Sequence, residues 1–191
     1  MGRFGKAAQQ IEFLVHEFNK IVGRNWSTAL GFLFGASFIT IAVFRIDRCL
    51  FLLLGKPWVF LRALFSPIAF LIGPWTARGH CSIDYQAEID RGLQILHPEL
   101  GIFVTAQTIA GKNLILTGGN LIGSKRRNVK KGDIIIGDDV LLGANAVVLG
   151  PIKIDNNVKI GASSIAMNDI KPNDVVFGVP AKSLFTRKEI T

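Results

Sequence analysis

Two hydrophobic rhythms divide the chain near residue 80. Between residues 4 and 22, Phe4, Ala8, Ile11, Leu14, Val15, Phe18, Ile21 and Val22 recur at three- and four-residue spacing, which predicts one face of a helix. From Trp26 to Phe44, nineteen residues carry no charge. As a helix rising about 1.5 Å per residue they would reach roughly 28 Å, just enough to cross hydrocarbon. Arg45, Asp47 and Arg48 end that run. Cys49 to Gly55 is too short to span, and Ala63 to Ala77 is interrupted by Pro67 and Pro74. Trp26, Trp58 and Trp75 sit at the edges of these runs near Arg24, Lys56 or Arg78, as amphipathic rings do at a headgroup layer. The interrupted pattern predicts helices lying in or dipping into one leaflet. A true span and burial inside an oligomer are the alternatives, and for residues 4–22 so is an ordinary helix packed on its own domain. Gly31 and Gly35 form a small-xxx-small pair that allows close helix approach.

After Cys81 the beat lengthens to six. Ile136, Leu142, Val148, Ile154, Ile160 and Ala166 form one series, and Val140, Ala146, Ile152, Val158, Ser164 and Ile170 form its companion four residues later. Upstream the same period gives Ile83, Ile89 and Ile95, then Val104, Ala110, Leu116 and Ile122. Neither a helix nor a simple strand repeats every six residues. A three-sided parallel coil does, with one short strand per side, one aliphatic residue inward and a turn between sides. Thirteen hexads at three per coil predict about four coils. Gly137, Gly143, Gly150 and Gly161, with Asn145, Asn156 and Asn157, supply corners that tolerate positive φ. Two stretches leave the beat. Gly123 to Ile135 is two residues too long and is expected to bulge outward, carrying Lys125, Arg126, Arg127, Lys130 and Lys131. It reads either as a solvated basic loop or as a flap whose cations meet phosphates. The stretch His97-Pro98-Glu99-Leu100-Gly101 is also off-register and is expected to push a histidine out of the coil wall.

Composition narrows the function. The 191 residues are 49% hydrophobic and 19% charged, which excludes a disordered or fibrous chain. Cys49 and Cys81 make neither a disulfide framework nor a zinc-ligand pair. The first residues lack the features of a secretory signal or a myristoylation site, so a reducing cytosolic setting is expected. The net charge of +8 is uneven. Residues 1–80 hold nine Lys/Arg against three acids, and residues 81–191 thirteen against eleven. Eleven of the fourteen phenylalanines and all three tryptophans also lie in the first part, inside aliphatic runs rather than interspersed with polar residues. That arrangement argues for a membrane surface, on its cytoplasmic side, rather than nucleic acid.

The segments GLQILHPELGIFV, NLIGSK…IIIGDDVLLGANAVVLG, VKIGASSI and VFGVPAKSL resemble the serine acetyltransferase type of hexapeptide-repeat acyltransferases. The resemblance runs from Ile83 to Leu184 and implies a β-solenoid, a left-handed parallel β-helix, acting on acetyl-CoA without a metal. It implies His97 as the base that deprotonates an acceptor hydroxyl, a task suited to an imidazole with an ordinary pKa near 6.5. It places Gly123, Ser124, Ala144, Ala162 and Lys182 along the acetyl-CoA track, with a backbone N–H near Gly123 or Ser124 facing the thioester oxyanion. Three departures matter. Ser82 stands where the family has the carboxylate that orients the histidine, leaving Asp84 as the substitute. Leu96 replaces an aspartate that helps hold an amino-acid acceptor, and Gly132 and Asp133 replace an Arg-His pair. Losing those charges would leave a zwitterion unpaired. The chain is therefore expected to resemble relatives that acetylate sugars in exopolysaccharide or capsule assembly.

The expected organisation is a helical membrane-associated segment over residues 1–80, the acetyltransferase β-helix over 81–185 and a tail over 186–191. The expected activity is O-acetylation of a saccharide hydroxyl by a homotrimer, with His97 facing the neighbour's Ala144 and Ala162. Serine O-acetylation and a non-catalytic membrane scaffold are the alternatives. A metal-dependent carbonic anhydrase is excluded because His16, His80 and His97 are the only histidines and His16 lies in the first helix.

Overall fold

The structure is a computed structural model that describes residues 2–22, 35–55, 57, 58, 60, 61, 63, 64, 81–126, 128 and 130–184. Trp26, Trp75, Gly31, Arg24, Lys56, Arg78, Arg127, the first part of the charge-free run, the proline-interrupted patch beyond Leu64 and the tail lie outside the described residues.

The six-residue beat becomes a parallel coil. Its first turn is β1 (Cys81–Ile83), β2 (Glu88–Ile89) and β3 (Gln94–Ile95). The second is β4 (Ile102–Val104), β5 (Thr108–Ala110) and β6 (Ile115–Leu116). The third is β7 (Asn120–Ser124), β8 (Ile134–Ile136) and β9 (Leu141–Leu142), and the fourth β10 (Val147–Gly150), β11 (Ile152–Ile154) and β12 (Lys159–Ile160). A last turn holds β13 (Ile165–Ala166), a single bridge at Ile170 and β14 (Val175–Phe177), closed by antiparallel β15 (Lys182–Ser183). Like strands stack into three sheets, β1-β4-β7-β10-β13, β2-β5-β8-β11 and β3-β6-β9-β12-β14-β15.

Of the thirteen lead positions, Ile83 is half-buried and the other twelve are buried; the companions Val140 to Ile170 are buried as well. Together they form one aliphatic column, where each fully buried Leu or Ile contributes about 1.5–3 kcal/mol. The corners differ from expectation in their mechanism. Asn145 and Asn157 do adopt positive φ, at 58° and 57°, but Gly137, Gly143, Gly150 and Gly161 do not. Gly143 is needed for stacking: a Cβ there would lie 2.6 Å from the backbone nitrogen of Ala162 in the next turn. The basic excursion is also shorter than expected, because β7 runs on through Gly123 and Ser124.

Two helices, α1 (Arg3–Val22) and α2 (Ala36–Leu54), pack on each other and on the first turn. The structure corrects the sequence reading in two places. First, α2 continues straight through Arg45, Asp47 and Arg48. Second, α1 packs on its own domain through Ala7, Gln10, Phe13 and Glu17, while Phe4, Ile11, Val15 and Phe18 of the expected stripe are exposed. The surface of the coil explains the inversion. Ile89 and Asp90 present carbonyls and Leu93 presents an N–H, and such groups need partners when covered. Arg45, 1% exposed, supplies them: Nη1 donates to Ile89 O at 2.6 Å and Nη2 to Asp90 O at 2.7 Å. Its Nη2 also donates to Glu17 Oε1 at 2.6 Å, and the Leu93 N–H donates to that same oxygen at 3.1 Å. Gln10 Oε1 accepts from Arg45 Nη1 at 3.2 Å, and the rings of Phe13 and Phe44 flank the guanidinium at 5.0 and 5.3 Å. No helix among the described residues is long and apolar enough to cross a membrane.

Candidate active site

Strand register decides what meets what. Ile95 pairs with Leu116, Leu116 with Leu142, Leu142 with Ile160 and Ile160 with Val176. Two residues after each of these come His97, Gly118, Ala144, Ala162 and Gly178, so all five occupy one edge of the prism on successive rungs. Adjacent rungs are about 4.8 Å apart. The edge therefore carries an imidazole at one end followed by side chains of no more than one carbon. Phe177 pairs with Lys182, which sets an exposed cation one strand beyond the last rung, roughly 24 Å from the histidine strand.

His97 caps a 3-10 turn, Pro98–Leu100, and its side chain is 58% exposed. Its backbone N–H donates to Thr117 O at 2.8 Å, which keeps the turn in register with the coil. Gly118, at φ 138°, lets the turn close: a Cβ there would sit 2.4 Å from His97 O. Buried Asn120 fixes Gly118 by accepting from its N–H at 2.9 Å and donating to Gly143 O at 2.8 Å. From the other side Cys81 Sγ donates to Pro98 O at 3.2 Å, and α2 packs against the turn. Burial pushes the Cys81 thiol up, so it remains a protonated donor.

The histidine's carboxylate partner is Glu99, not Asp84. His97 Nδ1 lies 3.0 Å from Glu99 Oε1, whereas Asp84 Oδ1 accepts from the backbone N–H of Gln86 at 2.8 Å in a local turn. The Glu99 carboxyl is held below the usual carboxylate range by its own backbone N–H and then by the His97 hydrogen bond. An ionised Glu99 favours the proton on Nδ1 and leaves Nε2 free to accept one. The nearest sequence signal for Glu99 was its place in the HPEL turn, two residues after the histidine. Gly118 and Asn120 escaped sequence reasoning because only the stacking of turns gives them their role.

Not every expected site residue joins this edge. Gly123 and Ser124 end β7, whose first residue, Asn120, starts beside the His97 edge. Five residues of strand separate the two ends by roughly 13 Å. Within one chain, therefore, neither residue sits beside His97. Ser124 Oγ instead donates to Gly150 O at 3.3 Å and accepts from the Arg126 N–H at 3.1 Å, which anchors the excursion. Two of the loop's cations turn back onto the protein. Lys131 Nζ donates to Glu88 Oε1 at 2.5 Å and Lys125 Nζ to Met167 O at 2.5 Å. Asp133 likewise serves the loop, accepting from the Lys130 N–H at 2.8 Å. Among the described residues no group of three His, Cys, Asp or Glu is placed to hold a metal ion.

Residues 133–165 match the bacterial transferase hexapeptide pattern of six repeats. The serine acetyltransferase of Neisseria gonorrhoeae, solved in complex with serine, superimposes with a TM-score of 0.70 at 30% identity, covering 93% of this chain and 69% of that one. The chain belongs to the hexapeptide-repeat acyltransferase family. Its parallel sheets are consistent with the left-handed β-helix of that family. Another member with this fold is a serine acetyltransferase solved in complex with CoA, with a TM-score of 0.68 at 24% identity, covering 95% of this chain and 72% of that one. The 2,3,4,5-tetrahydropyridine-2,6-dicarboxylate N-acetyltransferase of Staphylococcus aureus is 30% identical over 80 residues, 42% of this chain. That match spans about a third of the length of the staphylococcal enzyme, 34%.

Proposed function

We propose that the chain transfers the acetyl group of acetyl-CoA to a hydroxyl, with His97 as general base. The observation that carries this reading is the edge itself, an exposed imidazole followed by Gly118, Ala144, Ala162 and Gly178 and flanked at its far end by Lys182. A long thin acyl carrier lies along backbone only where side chains are this short, and a cation at its far end suits phosphates. Nε2 of His97 takes the hydroxyl proton and the oxygen attacks the thioester carbonyl. The tetrahedral intermediate collapses with loss of the thiolate, which recovers the proton from the imidazolium. The products are the acetyl ester and free CoA. Glu99 is a positioning residue that holds the ring tautomer.

A single edge offers one wall. The outward side of the sheet that borders it carries Phe103, Leu121, Val147 and Ile165 in register, with Phe103 and Leu121 exposed. This apolar column supports a homotrimer in which His97 faces the neighbour's Ala144 and Ala162, and in which a neighbour supplies the oxyanion donor near Gly123 or Ser124.

The likeness to serine acetyltransferases favours L-serine as the acceptor. A second reading, a saccharide hydroxyl, is favoured by the surroundings of His97. Leu96 is half-exposed and apolar where a charged group would hold an ammonium, and Asp133 is engaged within its own loop. Thiol release from acetyl-CoA, measured against L-serine, nucleotide sugars and lipid-linked saccharides, separates the two. The reading requires release with one hydroxyl acceptor and its loss in His97→Ala. Release only with amines, or none with any acceptor, overturns it.

A further inference from the structure

Among the described residues of the coil, three polar side chains are buried in the aliphatic column: Thr108, Asn120 and Ser164. Thr108 starts β5, and its hydroxyl has no partner among the described residues. Asn120 and Ser164 differ from it. Each follows an edge residue by two positions, Gly118 and Ala162, and each bonds to the backbone of the edge. Asn120 Oδ1 accepts from the Gly118 N–H at 2.9 Å while Nδ2 donates to Gly143 O at 2.8 Å, and only one orientation of the amide gives both bonds. Ser164 Oγ accepts from the Gly178 N–H at 3.0 Å and donates to Ala162 O at 3.4 Å.

The contacts of Gly118 give the Asn120 bond its consequence. A Cβ on Gly118 would lie 2.4 Å from His97 O, 3.0 Å from His97 Cβ and 3.2 Å from Leu100 Cδ1. Gly118 is therefore packed against the backbone of the histidine and against the turn that carries it, and a close-packed contact passes on any displacement. The ring has little else to hold it. It is exposed, and its partner Glu99 stands on the same exposed turn. We propose that Asn120 is a positioning residue for His97, acting through Gly118. The role rests on the acetyl-transfer reading. Asn120 is buried beneath the edge, so it meets neither donor nor acceptor. Ser164 is its matched control, equally buried and bonded to the same edge, but at the Gly178 rung, four strands from His97.

The test compares the full-length wild type, Asn120→Ala and Ser164→Ala by thiol release and by the imidazole NMR signals of protein carrying 13C-labelled histidine. The His97 signal is identified by its absence in His97→Ala. Asn120→Ala is expected to lower kcat about ten- to hundredfold and to shift or broaden the His97 signal. KM for acetyl-CoA should change far less, because Gly143 O keeps the Ala146 N–H at 3.0 Å and the donor rungs stay in place. Ser164→Ala should leave the His97 signal where it is and kcat within about twofold of wild type. Asn120→Asp, its carboxyl kept protonated by burial, can accept from Gly118 and donate to Gly143 O, and is expected to recover most of the lost kcat. Asn120→Leu, close to asparagine in volume, replaces Asn120→Ala if circular dichroism shows the latter unfolded. An unmoved His97 signal in a folded Asn120→Ala or Asn120→Leu overturns the proposal. So does an equal loss of kcat in Ser164→Ala, which would assign both side chains to the general stability of the column. If the wild type released no thiol with any acceptor, the acetyl-transfer reading would fail, and the His97 signal would still decide whether Asn120 places the ring.

Discussion

His97 meets its carboxylate in the open, with the ring and Glu99 side chains 58% and 64% exposed. Solvent screens such a pair, so Glu99 steers the ring more than it powers the reaction. Glu99→Gln is expected to lower kcat about three- to tenfold with little change in KM, whereas His97→Ala should lower it about 10²- to 10⁴-fold. A loss in kcat without a change in KM separates steering from a loss of fold, and an unchanged kcat in Glu99→Gln would reduce Glu99 to a surface residue. The histidine was legible in the sequence because it breaks a beat. Its partner was not, since Asp84 and Glu99 are both near in sequence and only the 3-10 turn brings one of them onto Nδ1.

Among the elements, strands were legible and helix facing was not. A six-residue repeat reports burial directly, so Ile136 to Ala166 declared the inward side of every strand they occupy. The stripe of α1 declared a helix, but a stripe does not say what covers it. The coil offered carbonyls and an N–H, and the polar side of α1 answered them. Arg45 therefore has a structural role. Arg45→Met leaves Glu17 buried without its cation and is expected to cost about 3–5 kcal/mol in denaturant unfolding. Pairing it with Glu17→Leu should recover much of that loss. Glu88 adds a pH dependence to the same region. Burial pushes its carboxyl up, but the Lys131 hydrogen bond and charge, with Arg48 and Lys6, outweigh it and leave the group below its ordinary value. A depressed carboxylate stabilises the fold above its unfolded pKa of about 4.3, and the contribution fades as pH falls through the lower folded value. Acid should loosen the helices and the basic loop together, and Glu88→Gln should remove that sensitivity, as proteolysis of residues 125–131 across pH would record.

In the whole molecule a rigid aliphatic column supports a smooth edge. The column fixes the rungs, the rungs align His97 with Gly118, Ala144, Ala162 and Gly178, and that alignment is the path proposed above for an acyl carrier. Ala162→Leu blocks that path at an exposed corner without touching the core, so KM for acetyl-CoA should rise about tenfold or more while thermal stability holds. Sedimentation at working concentration should give three chains if the proposed trimer forms; a fully active monomer would contradict that proposal. The most direct measurement is thiol release from acetyl-CoA by the wild type, His97→Ala and Ala162→Leu with the best hydroxyl acceptor. Turnover is expected in the wild type, with a collapse of kcat in the first variant and a selective rise in KM for the donor in the second. Turnover that survives His97→Ala, or is indifferent to Ala162→Leu, would contradict that expectation.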